Sequence, residues 1–309
     1  MALGIGAGGI VGIALETTSG TYLAPTDFIP VNSESLKYDP DMQERAPIRN
    51  TPGLVGLVPG NSWVEGDLEF DVSADILIPF LYASRCTIVK TGAGPYVYTC
   101  TPNANALPTK TLSISIKRAS EVFGYTGCAI SSMKFSIDDK GILKATMSVI
   151  GSSEATQTAL TATWPTTAVI SAGMYNLQIP TSTTVFDADK FEINIEDNAT
   201  TNPRIRATLG SAFTSFGESR ITATAERDFD SRAEYDAFKA GTSKSISLIA
   251  TQSASNIFNF TMPSAITSSY EINLGGQGDL VRASIEYTGV IDATGKHYQL
   301  ILTTSKNIT

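Results

Sequence analysis

A single histidine, three cysteines and one run of alternating glycines are the residues of this 309-residue chain whose types could do chemistry. GIGAGG at Gly4–Gly9 has the spacing of a dinucleotide-binding loop, in which N–H groups at a strand-to-helix turn hold a pyrophosphate. Only three residues precede Gly4, too few for the strand, and VGIALETTSGTY behind it is a poor helix opening. A glycine-rich arm that orders against something else is the expectation. His297 lies in the strand-like run HYQLILTT and reads as an edge or surface residue, because no nucleophile or orienting carboxylate stands near it in sequence. Cys86, Cys100 and Cys128 are an odd, widely spaced set and read as reduced, partly buried thiols. Asp138-Asp139 is a carboxylate pair, but DDKG falls between two strand patterns and reads as a hairpin turn. Asn198 and Asn307 fit the glycosylation pattern, yet no Lys or Arg precedes Lys37, so no positive signal-peptide region supplies a secretory route. No catalytic, cofactor or metal site follows, and the expectation is a soluble protein that is not an enzyme.

The elements that would position any site are strands. Thr, Ser, Ala and Ile dominate, and a charged content of only 17% fits an ordered chain with polar, neutral surfaces. Each half carries 15 acids and 11 bases, so neither has the basic field that nucleic-acid binding requires. No run reaches the roughly 18 apolar residues of a membrane span.

The strands are written twice. SSMKFSIDDKG (Ser131–Gly141) lies over SSYEINLGGQG (Ser268–Gly278), and LKATMSVIG (Leu143–Gly151) over VRASIEYTG (Val281–Gly289). Met133, Phe135 and Ile137 alternate with polar residues, as do Tyr270, Ile272 and Leu274, so each copy predicts a hairpin with one buried face. PIRNTPG (Pro47–Gly53) lies over RIRATLG (Arg204–Gly210), and Leu36 and Tyr38 over Ile193 and Ile195. ADILIPFLYAS and SRAEYDAFKAG are the helix-like segment of each half, the first shortened or kinked by Pro79. The first copy holds an additional hairpin near 86–108, and the Ser/Thr/Ala-rich stretch 152–172 reads as a linker. The expected division is an N-terminal arm at 1–30, a first unit at 31–151, and a second at 173–309. Two copies are too few for a solenoid, whereas fusing two subunits of a six-membered ring leaves three chains with pseudo-six-fold symmetry.

GIVGIALETTSGTYLAPTDFIPVNSESLKY (Gly9–Tyr38), W-x-E-G (Trp63–Gly66), GCAISSMKFSIDDKGILKATMSVIG (Gly127–Gly151), FGESRITATAERDF and LVRASIEYTGVID together resemble the major tail tube proteins of long non-contractile-tailed, siphovirus-type bacteriophages. The resemblance covers nearly the whole chain. It implies a mainly β (α+β) fold of two tandem tail-tube-type β-sandwich units, each with one short helix, closing into a ring-shaped β-barrel on oligomerisation. It implies stacked rings forming the conduit for DNA ejection, in a virion tail assembled in the host cytoplasm. Implied partners are further copies of the chain and the tape measure, tail terminator and distal tail proteins, with genomic DNA passing unbound and no membrane or cofactor involved. The Gly-rich arm (residues 1–30) and the loops Asp39–Gly60 and Glu196–Gly217 match the stacking elements. The loops make Arg49, Arg206, Gly53 and Gly210 candidates for inter-ring contacts, and Trp63 reads as a packing candidate, in the core or beneath the arm. Two rival readings share the pattern: the inner tube of a contractile tail or secretion system, and a virion β-sandwich that binds or decorates. Low aromatic content (8%) and the lack of a Trp/Tyr cluster weigh against the last.

Overall fold

A computed structural model of the chain describes residues 6–48, 50, 52–137, 141–157, 159–180, 185–202 and 213–308. The fold is mainly β, as the strand-rich composition predicts. In the first half the strands are β1 (Ile10–Leu15), β2 (Asp27–Ile29), β3 (Val31–Glu34), β4 (Lys37–Arg45), β5 (Gly56–Asp71), β6 (Cys86–Thr91), β7 (Tyr96–Pro102), β8 (Leu112–Arg118), β9 (Glu121–Ile137), β10 (Lys144–Gly151) and β11 (Ser153–Gln157). Helix α1 (Ala74–Tyr82) follows β5. In the second half they are β12 (Tyr175–Gln178), β13 (Lys190–Glu196), β14 (Thr200–Asn202), β15 (Phe213–Ser215), β16 (Arg220–Asp228), β17 (Ser243–Ser253), β18 (Asn256–Asn273), β19 (Arg282–Gly289) and β20 (Gln299–Thr304). Helix α2 (Ala233–Lys239) follows β16. Both helices fall where the sequence places them.

The central layer runs β4–β5–β10–β9–β13–β16–β19–β18, every neighbour antiparallel. Period-2 alternation gives this layer two unlike faces. One row across it reads Phe70, Ala145, Phe135, Ile193, Ala223, Tyr287, Thr267, all buried. The adjacent row reads Asp71, Lys144, Ser136, Glu192, Thr224, Glu286, Ser269, and faces outward.

The registers of the two halves coincide. Phe135 pairs Ala145 and Met133 pairs Met147 in the first hairpin; Ile272 pairs Ala283 and Tyr270 pairs Ile285 in the second. Each hairpin carries a β-bulge, at Ser131 and at Ser268, the positions aligned by sequence. Lys37 pairs Glu65 and Asp39 pairs Trp63, as Asn194 pairs Thr222 and Glu196 pairs Arg220. β6 and β7 form a hairpin within the stretch 86–108, and β7 joins β20 through pairs such as Cys100 with Leu300.

The halves are not separate bodies. One hydrophobic cluster runs through both, with Phe135 and Phe258 at 5.1 Å between ring centroids. Ser73, at the N-terminus of α1, makes no side-chain cap; Asn256 from β18 accepts the Ala74 N–H instead, at 2.9 Å. Pro79 has no N–H to give the Asp75 carbonyl one turn back, and Lys306 Nζ stands 3.4 Å from it. Of the segment expected to form an arm, Ile10–Leu15 is a mostly buried strand between β2 and β8. It is held by Glu16, whose buried carboxylate accepts from Thr111, Ser113, and the N–H groups of Gly20 and Gly127. Within the stretch expected as a linker, β11 pairs with β9, and Ile170 bridges Val72 and Leu143 through main-chain hydrogen bonds.

Candidate functional site: a polar sheet face between open edges

The residues suited to catalysis are placed otherwise than catalysis needs. Ser219 donates to Asp197 Oδ1 at 2.7 Å, and His297 Nε2 lies 3.1 Å from the same hydroxyl. Sequence adjacency could not reveal this trio, whose members are brought together by β13, the turn before β16 and the approach to β20. The serine stands between the acid and the histidine, so among the described residues no carboxylate is hydrogen-bonded to the imidazole, and the trio lacks the order of a nucleophilic triad. Burial pushes the Asp197 carboxyl up and the His297 imidazole down from their ordinary values, with Arg85 adding to the second effect. Arg85 donates to the Gly217 carbonyl, so the cluster ties the end of β13 to the start of β16.

The cysteines correct the sequence reading. Cys86 and Cys100 are joined as a disulfide across the β6–β7 hairpin, with Cα atoms 5.8 Å apart. The hairpin expected near 86–108 already sets their strands side by side, and what the reading of reduced thiols missed is that the two sulfurs are bonded across it. Cys128 is free and buried, and burial raises its thiol well above the ordinary value. The glycine run leads through a 3-10 turn at Gly6–Gly8 into strand β1, so no helix N-terminus faces a phosphate there. Asp138 and Asp139 lie outside the described residues. Among the described residues no group of three acidic, His or Cys side chains could hold a metal ion.

The candidate contact residues divide. Arg49, Arg206 and Gly210 lie outside the described residues. Gly53 sits beyond the end of β4 with φ +134°, and a side chain there would meet open space. Around it Ile48, Leu54, Val55, Leu57 and Val58 are exposed on the β4–β5 hairpin. Trp63 lies on the polar face of β5, half-buried, and donates to Glu65 Oε2 at 2.9 Å, rather than packing in the core.

What remains is a surface. Three rows of the polar face carry Asp71, Lys144, Glu192 and Glu286; Glu69 and Lys134; and Lys190, Glu226 and Glu271, so six acids meet three bases. Lys134 lies 3.1 Å from Glu192, and Lys190 lies 3.3 Å from Glu192 and 3.6 Å from Glu226. Partial burial works against ionisation of Glu192, but Lys134 and Lys190 outweigh it and hold the carboxyl below its usual value. Lys37 bridges Glu65 at 2.9 Å and Asp39 at 3.1 Å, and the Lys37 and Trp63 hydrogen bonds lower the Glu65 carboxyl. Such exposed pairs contribute little stability. Their effect is a well-hydrated surface of net negative charge.

Gly66 shapes one end of the layer. Its φ is +147°, and a Cβ there would lie 2.5 Å from the Ser35 carbonyl oxygen and 2.7 Å from Leu36 Cα. Only glycine allows β5 to approach the β3–β4 edge so closely.

Among the described residues no helix is long and apolar enough to cross a membrane. No curated protein matches the chain. A family model described as phage tail tube protein matches residues 6–289. That match takes in the whole central layer and both helices, and the chain belongs to the phage tail tube protein family.

Proposed function

We propose that the chain is the major tube protein of a long, non-contractile phage tail, assembling three copies to a ring with pseudo-six-fold symmetry. Its units are residues 31–151 and 173–309, each a β-sandwich with one short helix, and the rings stack into the conduit for DNA ejection. The observation that carries this reading is the pairing of β9 with β13, opposite edge strands of the first and second halves, into one layer whose two ends, at β4 and the C-terminal part of β18, are open among the described residues. Three such layers joined edge to edge close a barrel, the arrangement that leaves no strand edge open. The polar face then lines the bore, where excess carboxylates repel phosphates and let DNA slide. The exposed apolar β4–β5 hairpin supplies stacking contacts between rings. Tape measure, terminator and distal tail proteins are its partners in the virion tail, and the role is passive, without catalysis or cofactor.

Electron microscopy of the purified protein, with native mass spectrometry of the rings, tests the proposal. Expected are rings or tubes with a central hole and three chains per ring. Particles that stay monomeric at every concentration would sink the tube reading, and six chains per ring would sink the pseudo-six-fold inference alone.

A further inference from the structure

We propose that the ring seam is an antiparallel ladder between β18 of one copy and the β3–β4 edge of the next, in the register Leu36 to Ile272, Lys37 to Glu271 and Tyr38 to Tyr270. The inference rests on the tube reading and deepens it by naming the interface.

The template lies inside the chain. At the β9–β13 junction Ile193 pairs Phe135, Asn194 pairs Lys134 and Ile195 pairs Met133. Moving each residue to its counterpart in the other half gives the register above. Both edges are open: among the described residues β17 covers β18 only up to Ile266, and no strand flanks Ser35–Asp39 opposite β5. Burial shows what is missing. Phe135, covered by β13, is 1% exposed, whereas its counterpart Ile272 on the same apolar face is 41% exposed. Leu274, the next residue on that face, is 83% exposed. An apolar stripe along an open strand edge is stabilised when another strand covers it.

The groups on the edge fit a partner strand. The Ser35 N–H points inward to the Asp67 carbonyl, so alternation turns the main-chain groups of Leu36 and Tyr38 outward. The Leu36 carbonyl already accepts from Arg118 and from the Tyr125 hydroxyl, so the Leu36 N–H and the main-chain groups of Tyr38 are the ones that meet the partner strand. Lys37 and Glu271 would stand opposite on the polar face, an oppositely charged cross-strand pair. Pro40 has no N–H, and ends the seam where Asp197 donates to the Ser131 carbonyl in the internal junction.

The test is a cysteine pair in the full-length chain, K37C with E271C, oxidised with diamide under conditions where microscopy shows rings. Expected are covalent dimers and trimers and nothing larger, with none from the register-shifted pair K37C with N273C. Rings that form without the first crosslink, or with the second in its place, overturn the seam and leave the tube reading intact. Monomers without rings overturn both. Hydrogen exchange of the unaltered protein guards against misfolded variants. Segments 34–39 and 269–274 should exchange about tenfold or more slowly in rings than in monomers. Equal rates there would overturn the seam.

Discussion

Ser131 and Ser268, 137 positions apart (268 − 131), are the bulged residues of β9 and β18, but only Ser131 is covered. Its carbonyl accepts the Asp197 N–H at 2.9 Å and its hydroxyl accepts the Ala199 N–H at 3.1 Å. Ser268 is exposed and turns its hydroxyl back to Glu286 on its own hairpin. One backbone device is thus seen once with a neighbouring strand and once without.

The same asymmetry gives a contrast in stability. Phe135→Ala removes a ring packed between the halves and should cost about 3–5 kcal/mol. Ile272→Ala, on the open edge, should cost the monomer less than about 1 kcal/mol. Urea unfolding midpoints of the two variants measure the difference, and equal losses would refute the assignment of Ile272 to an uncovered edge.

Gly66→Ala forces a side chain into left-handed backbone and against the Ser35 carbonyl. A loss of about 1–3 kcal/mol is expected, centred on the β3–β4 edge. Faster hydrogen exchange over residues 33–39, with β17 unchanged, would locate the strain there.

Glu16→Ala leaves two buried hydroxyls and two N–H groups without their acceptor. About 3 kcal/mol or more should be lost. A fall in thermal midpoint, with earlier proteolysis of residues 10–29, checks that this carboxylate anchors the N-terminal strands.

His297 makes stability depend on pH. Its folded value is depressed by burial, so the unfolded chain binds the proton more readily. Its contribution is complete above the unfolded value of about 6.5 and is lost as pH falls through the lower folded value. Asp197, raised by burial, works oppositely at lower pH. Subtracting the stability curve of His297→Gln from that of the parent isolates the histidine: the difference should be flat above pH 7 and decline below pH 6. A difference flat throughout would contradict the burial of this imidazole.

Mass spectrometry after alkylation in denaturant checks the cysteines. One modified residue, Cys128, is expected without reductant and three with it.

The sequence by itself determined the matching strand patterns, both helices, a hairpin near 86–108 and the apolar faces. These are local patterns of period 2 and 3.6 that each segment carries alone. The tertiary structure decided what depends on contacts remote in sequence. It set Ser219 between Asp197 and His297. It made Asn256 cap a helix 182 residues away and drew Ile10–Leu15 from an expected arm into the sheet. Above all it laid β13 beside β9 and, among the described residues, left one edge of β18 open beyond Ile266, because strand edges find partners through main-chain groups that every residue shares and no side-chain pattern records.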